Sequence, residues 1–178
     1  MAARSTGSLM TTANTTISLI GMPGAGKSTV GVILAKVLGL NFVDTDLAIQ
    51  RRANATLQEI LEDKGYQYLR SLEESVILDT DLSQSVISTG GSAVYSEAAM
   101  RRLGEAGPRV YLSADLPTLE TRVAAAPLRG IASDSAQSFA GVYAERSPLY
   151  EQYADISIDA TAGSADTVAA LIVSALSK

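Results

Sequence analysis

The residues with the clearest chemistry are Lys27 and Ser28, which close the stretch Gly21-Met22-Pro23-Gly24-Ala25-Gly26-Lys27-Ser28. The spacing fits G-x-x-x-x-G-K-[ST], a loop whose backbone N–H groups gather on one anion. A lysine there reaches the outer phosphates of a nucleotide, and a serine hydroxyl ligates the magnesium that travels with them. Two carboxylates follow. Asp44 and Asp46 stand two residues apart after Asn41-Phe42-Val43, and in an extended chain that spacing puts both on one side. Opposite a phosphate loop, one carboxylate can hold magnesium through water. The other can accept a hydrogen bond from an attacking hydroxyl. A pair of solvated turn residues is the competing reading. Gly90-Gly91 suits either a plain turn or a close approach of backbone to a ligand. Arg70 and Arg146 sit in helical segments, where an arginine is usually solvated or paired; Glu73 and Glu74 lie three and four residues beyond Arg70. Arg122 and Arg129 flank a loop and suit neutralisation of charge that develops on a triphosphate.

These residues need elements to position them. Thr16 to Ile20 is short, apolar and β-branched, so it reads as a buried strand leading into the loop, with a helix over Thr29 to Leu38 behind it. Further strands are expected at Asn41 to Val43, Ser85 to Thr89, Arg109 to Leu112 and Ile156 to Ile158. Short helices fill Leu47 to Lys64, where Thr56 and Glu59 form a capping box. Longer ones follow at Tyr66 to Leu82, from the cap Ser96 to Ala106, and from Asp115 or Pro117 to Ala125. The last two run from Ser135 to Tyr153 despite Pro148, and from Ser164 to Leu176. Strands alternating with helices predict an α/β fold: a three-layer, doubly wound, five-stranded parallel sheet with helices on both faces. Ligands then bind at the carboxyl ends of the strands, where the phosphate loop, Asp44 with Asp46, and Gly90-Gly91 all fall.

Composition narrows the chemistry. The chain has 178 residues, which suits a single domain over 16–178, with a disordered tail expected over 1–15 and a mobile lid over about 125–135. It contains no His and no Cys, which excludes thiolate chemistry and a Ser-His-Asp triad and leaves acid–base work to Asp, Glu or Lys. A net charge of −5 with no basic stripe argues against nucleic acid as a partner. No apolar run reaches membrane-spanning length and no signal peptide is evident, so a cytoplasmic protein with no membrane association, acting as a monomer, is expected.

Taken together, the segments resemble the shikimate kinase family of P-loop kinases. The resemblance rests on Gly21 to Thr29, Phe42 to Asp46, Tyr68-Leu69-Arg70 with Glu73-Glu74 behind it, Val86 to Gly91, and Arg146-Ser147-Pro148-Leu149-Tyr150. It implies transfer of the γ-phosphoryl group of ATP to the 3-hydroxyl of shikimate, with ATP and Mg²⁺ bound. Gly24, Ala25, Gly26, Lys27, Ser28 and Thr29 would hold phosphates, and Ser28 with Asp44 the metal. Asp46 would bind shikimate hydroxyls and act as base beside Lys27. Arg70 and Arg146 would clamp the shikimate carboxylate, with Gly90 and Gly91 closing the pocket. Arg122 resembles an arginine that lies against adenine, and Arg129 stands near the lid. Two departures are visible. Ser92 replaces a third glycine, and Ala126 replaces the lid arginine, leaving Arg129 three residues later as the nearest substitute. A kinase for another small hydroxy acid or cyclitol, or a non-catalytic ATP-binding homologue, are the alternatives these departures leave open.

Overall fold

The computed structural model describes residues 15–127 and 130–178. Five strands form one parallel sheet: β1 (Ile17–Ile20), β2 (Asn41–Asp44), β3 (Ser85–Ser88), β4 (Arg109–Ser113) and β5 (Ile156–Asp159). Their spatial order is β2-β3-β1-β4-β5. The chain starts in the middle at β1, crosses to the edge at β2, returns inward to β3 and then passes β1 to reach β4 and β5, so the connections leaving the neighbours β1 and β3 run in opposite directions. That is where an open parallel sheet leaves a crevice. The helices between are α1 (Lys27–Leu38), α2 (Thr45–Ala53), α3 (Leu57–Lys64), α4 (Tyr66–Asp79), α5 (Glu97–Ala106), α6 (Leu116–Ala125), α7 (Phe139–Tyr153) and α8 (Ala165–Leu176). The expected doubly wound α/β fold is present.

The central strands show why they sit where they do. Every residue of β1 and of β3 is buried. Alternate residues of a strand point to opposite faces, so burial of all of them means both faces are covered. The edge strand β5 instead alternates half-buried and exposed residues. The main core gathers Leu19, Leu34, Ile87, Met100, Val110 and Ile172 among others; each fully buried aliphatic side chain contributes about 1.5–3 kcal/mol. A second, smaller cluster of Ile49, Ile60, Leu69, Val76 and Ala132 lies under α2, α3 and α4. It makes the wall opposite the phosphate loop.

Several boundaries differ from expectation, for local reasons. Helix α1 starts at Lys27 because Gly26, at φ 90°, turns the chain in the left-handed region and serves as its N-cap. Strand β2 ends at Asp44, whose side chain accepts from the N–H groups of Asp46 at 2.9 Å and Leu47 at 3.4 Å and so caps α2. Asp44 and Asp46 are therefore not two positions of one extended strand. The first ends a strand and the second sits in the first turn of a helix. Helix α7 begins at Phe139, capped by Ser138, rather than at Ser135. A 3₁₀ helix over Gly91–Tyr95, which the residue pattern did not suggest, connects β3 towards α5. The tail over 1–14 and Arg129 lie outside the described residues.

Candidate active site

A cavity of about 440 Å³ opens at the carboxyl ends of the strands. One wall is the phosphate loop and the start of α1: Gly24, Gly26, Lys27, Ser28 and Thr29. Six of the helices carry a side-chain N-cap. Helix α1 has none, and no acidic residue in its first turn. Its orphan N–H groups and the positive end of its dipole face the cavity, a donor set that fits a phosphate. Lys27 is buried at 8% exposure, and its ammonium donates to the carbonyls of Gly21 at 2.7 Å and Met22 at 2.9 Å. Burial lowers its pKa to about 8, against the attraction of Asp46 and Glu73. The ammonium is thus held on neutral carbonyls within a site that also contains carboxylates.

Ser28 points away from the cradle's floor towards the sheet. Its hydroxyl donates to Asp44 Oδ2 at 2.6 Å and lies 3.1 Å from the Ser88 hydroxyl. The register accounts for this meeting, because Asp44 of β2 pairs with Ser88 of β3. A hydroxyl backed by a carboxylate is a hard-oxygen donor set that suits Mg²⁺ completed by water and phosphate. Asp44 is not on the cavity wall, whereas Asp46 is.

The opposite side is built around Gly90 and Gly91. The Thr89 N–H and hydroxyl both donate to the Leu19 carbonyl, at 3.2 and 2.9 Å, which ties this turn to β1. The Gly90 N–H donates to the buried Thr45 hydroxyl at 2.9 Å, and the Tyr150 hydroxyl donates to the Gly91 carbonyl at 2.6 Å. A Cβ on Gly90 would collide with Glu73 Oε1 and come within 2.8 Å of Asp46 Oδ1. On Gly91 it would come within 2.8 Å of Arg146 Nη1. At both positions the missing Cβ leaves room for side chains of the site to pack against the backbone.

Arg146 is 1% exposed and on the cavity wall. Its Nη2 donates to the Ala132 carbonyl at 2.9 Å. Arg70 is half-buried and its Nε donates to the same carbonyl oxygen at 3.0 Å. Two guanidinium groups from α4 and α7 therefore converge on one acceptor oxygen, the arrangement a carboxylate would also satisfy. Among the described residues no ion pair joins Arg70 to Glu73 or Glu74, so the surface pairing suggested by their spacing does not form. Arg70 is not itself on the cavity wall. Arg122 is, with Nη1 3.3 Å from the Gly24 carbonyl and Nη2 3.4 Å from that of Ala160, beside the phosphate loop. Ala126 also lines the cavity.

Two residues in or beside the site receive no site role from the sequence. Glu73 is 3% exposed, accepts a hydrogen bond from the Ser92 hydroxyl, and has an Oε1 with no partner among the described residues. Burial first, and then the nearby Asp46, push its pKa up to about 7, against Ser92, Arg146 and Lys27. The signal was available: Leu69, Glu73, Val76 and Ile77 are the buried stripe of α4, and a carboxyl in an apolar stripe is unusual. The other residue is Tyr95, which touches both arginines; nothing in its spacing marked it. Ser92, which stands where the family has a third glycine, donates its hydroxyl to Glu73.

The chain also has relatives among known proteins. The family model described as "Shikimate kinase" matches residues 23–177. The chain is 38% identical to the shikimate kinase of Halorhodospira halophila over 163 residues, 90% of this chain and 92% of that protein. It is 38% identical to that of Mycobacterium avium over 162 residues, 89% and 91% of the two chains. The solved structure of shikimate kinase from Acinetobacter baumannii in complex with shikimate superposes with a TM-score of 0.79 at 30% identity, covering 90% of this chain and 91% of that one. With its fold, its phosphate loop and most of its length shared with these proteins, the chain belongs to the shikimate kinase family.

Proposed function

We propose that this chain transfers the γ-phosphoryl group of ATP to the 3-hydroxyl of shikimate, giving shikimate 3-phosphate and ADP. The observation that carries the reading is that one cavity sets a phosphate cradle against Asp46, Gly90, Gly91 and Arg146. Gly24 to Thr29 would bind the nucleotide phosphates, and Arg122 would lie along the nucleotide beside Gly24. Ser28 and Asp44 would hold Mg²⁺, directly and through water. When bound, the ion supplies charge neutralisation on the outer phosphate oxygens.

Arg146 and Arg70 would receive the carboxylate of the acceptor, taking it in place of the Ala132 carbonyl. Such charge-assisted hydrogen bonds contribute about 1.5–3 kcal/mol each. Anchoring one end of a small ring in this way directs a hydroxyl at the other end towards the phosphate loop. Asp46 accepts a hydrogen bond from that hydroxyl and takes its proton as the oxygen bonds to the γ-phosphorus. The bond to the β,γ-bridging oxygen breaks, and ADP leaves with its electron pair. Lys27 stabilises negative charge on the transferring group once it exchanges its loop carbonyls for phosphate oxygens. No helix among the described residues is long and apolar enough to cross a membrane, and the net charge of −5 is in keeping with a cytoplasmic protein without a nucleic-acid partner.

A coupled ADP-release assay tests the assignment of Asp46. Wild-type protein is expected to turn over in a shikimate-dependent, saturable manner, and Asp46→Asn to lose about 10²–10⁴-fold in kcat, the usual worth of a positioned general base. An Asp46→Asn enzyme of wild-type kcat would remove Asp46 from the chemistry.

A further inference from the structure

We propose that Tyr95 is a positioning residue that holds Arg70 and Arg146 in the geometry that receives the acceptor's carboxylate. The inference rests on the proposed function, in which those arginines bind that group. Tyr95 ends the 3₁₀ helix that starts at Gly91, so the segment forming the floor of the cavity also carries the ring. The Arg70 guanidinium carbon stands 3.9 Å from the ring centroid, and that of Arg146 stands 5.3 Å from it. The Arg146 Nε also donates to the Tyr95 hydroxyl at 3.3 Å. That hydroxyl in turn donates to the Glu145 carboxylate, which Gln137 Nε2 steadies at 3.0 Å. One side chain thus fixes two guanidinium groups that arrive from different helices.

The kind of restraint is what matters. Among the described residues neither Arg70 nor Arg146 forms an ion pair. A carboxylate in place of the ring would fix them equally well, but it would also neutralise them and compete with the ligand. An aromatic face orients a cation through its quadrupole and leaves the charge to attract an anion. The phenol is suited to remain a donor to Glu145: burial, and then the hydrogen bond to that carboxylate, raise its pKa above the ordinary tyrosine value. Arg70 has a second such contact, with its guanidinium carbon 4.9 Å from the Tyr66 ring centroid. Tyr95 is the ring that both arginines share.

Steady-state kinetics with shikimate and with its methyl ester provide the test. For Tyr95→Leu the KM for shikimate is expected to rise by about tenfold, in the range of a partly desolvated cation–π contact, while the KM for ATP stays close to wild type. With the ester, which lacks the anionic carboxylate, the penalty of Tyr95→Leu is expected to fall to less than about twofold, because well-oriented arginines no longer gain from a charged partner. Tyr95→Phe keeps the ring and loses the hydroxyl, and a rise of about threefold in the shikimate KM is expected, in line with loss of one hydrogen bond. Should the leucine variant fail to fold, the phenylalanine variant decides the question. A shikimate KM unchanged in both variants, or in Tyr95→Phe alone where leucine does not fold, would overturn the inference. An equal penalty on acid and ester would also overturn it, by making Tyr95 a general structural residue. Absence of shikimate turnover in the wild-type protein would overturn the proposed function as well, so the two failures are distinguishable.

Discussion

Glu73 occupies a place in α4 where the helix otherwise shows Leu69, Val76 and Ile77 to the interior. Its carboxyl is raised to about 7 because burial disfavours the charged form and Asp46 lies close by. A carboxyl raised from about 4.5 to about 7 on folding keeps its proton in the native state where the unfolded chain has lost it. Between those values the native state binds more protons, so stability falls as pH rises, and it levels off above 7. Thermal melts of wild type and Glu73→Gln between pH 4.5 and 8 check this. The variant is expected to lose that part of the pH dependence and to gain on wild type towards pH 8 by more than about 1.4 kcal/mol, the worth of one pKa unit. Melting curves that shift in parallel for both proteins would contradict it. Glu73, Asp46, Lys27 and Arg146 interact electrostatically, so a polyphosphate at Lys27 and a carboxylate at Arg146, as proposed, would change the charge balance of the whole group.

At the scale of elements, the junction between β2 and α2 does two jobs through one side chain. Asp44 Oδ1 caps α2 and Asp44 Oδ2 accepts the Ser28 hydroxyl. The two roles can be separated by substitution. Asparagine caps helices about as well as aspartate, whereas alanine costs about 1 kcal/mol. Asp44→Asn is therefore expected to keep its denaturant midpoint while its rate requires more Mg²⁺ to saturate, and Asp44→Ala to lose in both measurements. An Asp44→Asn enzyme with a wild-type Mg²⁺ titration would separate Asp44 from the metal. The segment before α7 shows similar economy. Ala132 packs its methyl group into the small cluster under α2, α3 and α4 and presents its carbonyl to Arg70 and Arg146. Under the proposed function, binding of a carboxylate at those arginines would release that carbonyl and couple the segment's position to occupancy of the site.

Across the whole molecule, the sheet order and the site follow from features that differ in how far they show in sequence. The phosphate loop was legible because every part of it is local: a strand, a turn that only glycine takes easily at Gly26, and a helix. The alternation of strands and helices gave the fold class for the same reason. Arg70 and Arg146 could not be told from solvated helix arginines by spacing, since what separates them from solvent is the Ala132 segment and Tyr95. Family resemblance supplied what local patterns did not. The offset of Asp44 from Asp46 was misread because period-two alternation stops where α2 begins, and the cap that stops it is Asp44 itself. Glu73 was overlooked through its neighbours: beside Arg70 and Glu74 it looks like part of a surface pair, although its period places it with Leu69 and Ile77.

On the proposed function, a phosphate cradle and an acceptor site in one cavity pass a phosphoryl group from ATP to a specific hydroxyl. Phosphorus NMR of a mixture of this protein, ATP, Mg²⁺ and shikimate observes that event directly. The account predicts one new phosphomonoester resonance, coupled to the proton on C3 of the ring and growing in step with ADP. No new phosphomonoester, phosphate appearing only as inorganic phosphate, or a phosphomonoester coupled to a different ring proton would contradict it.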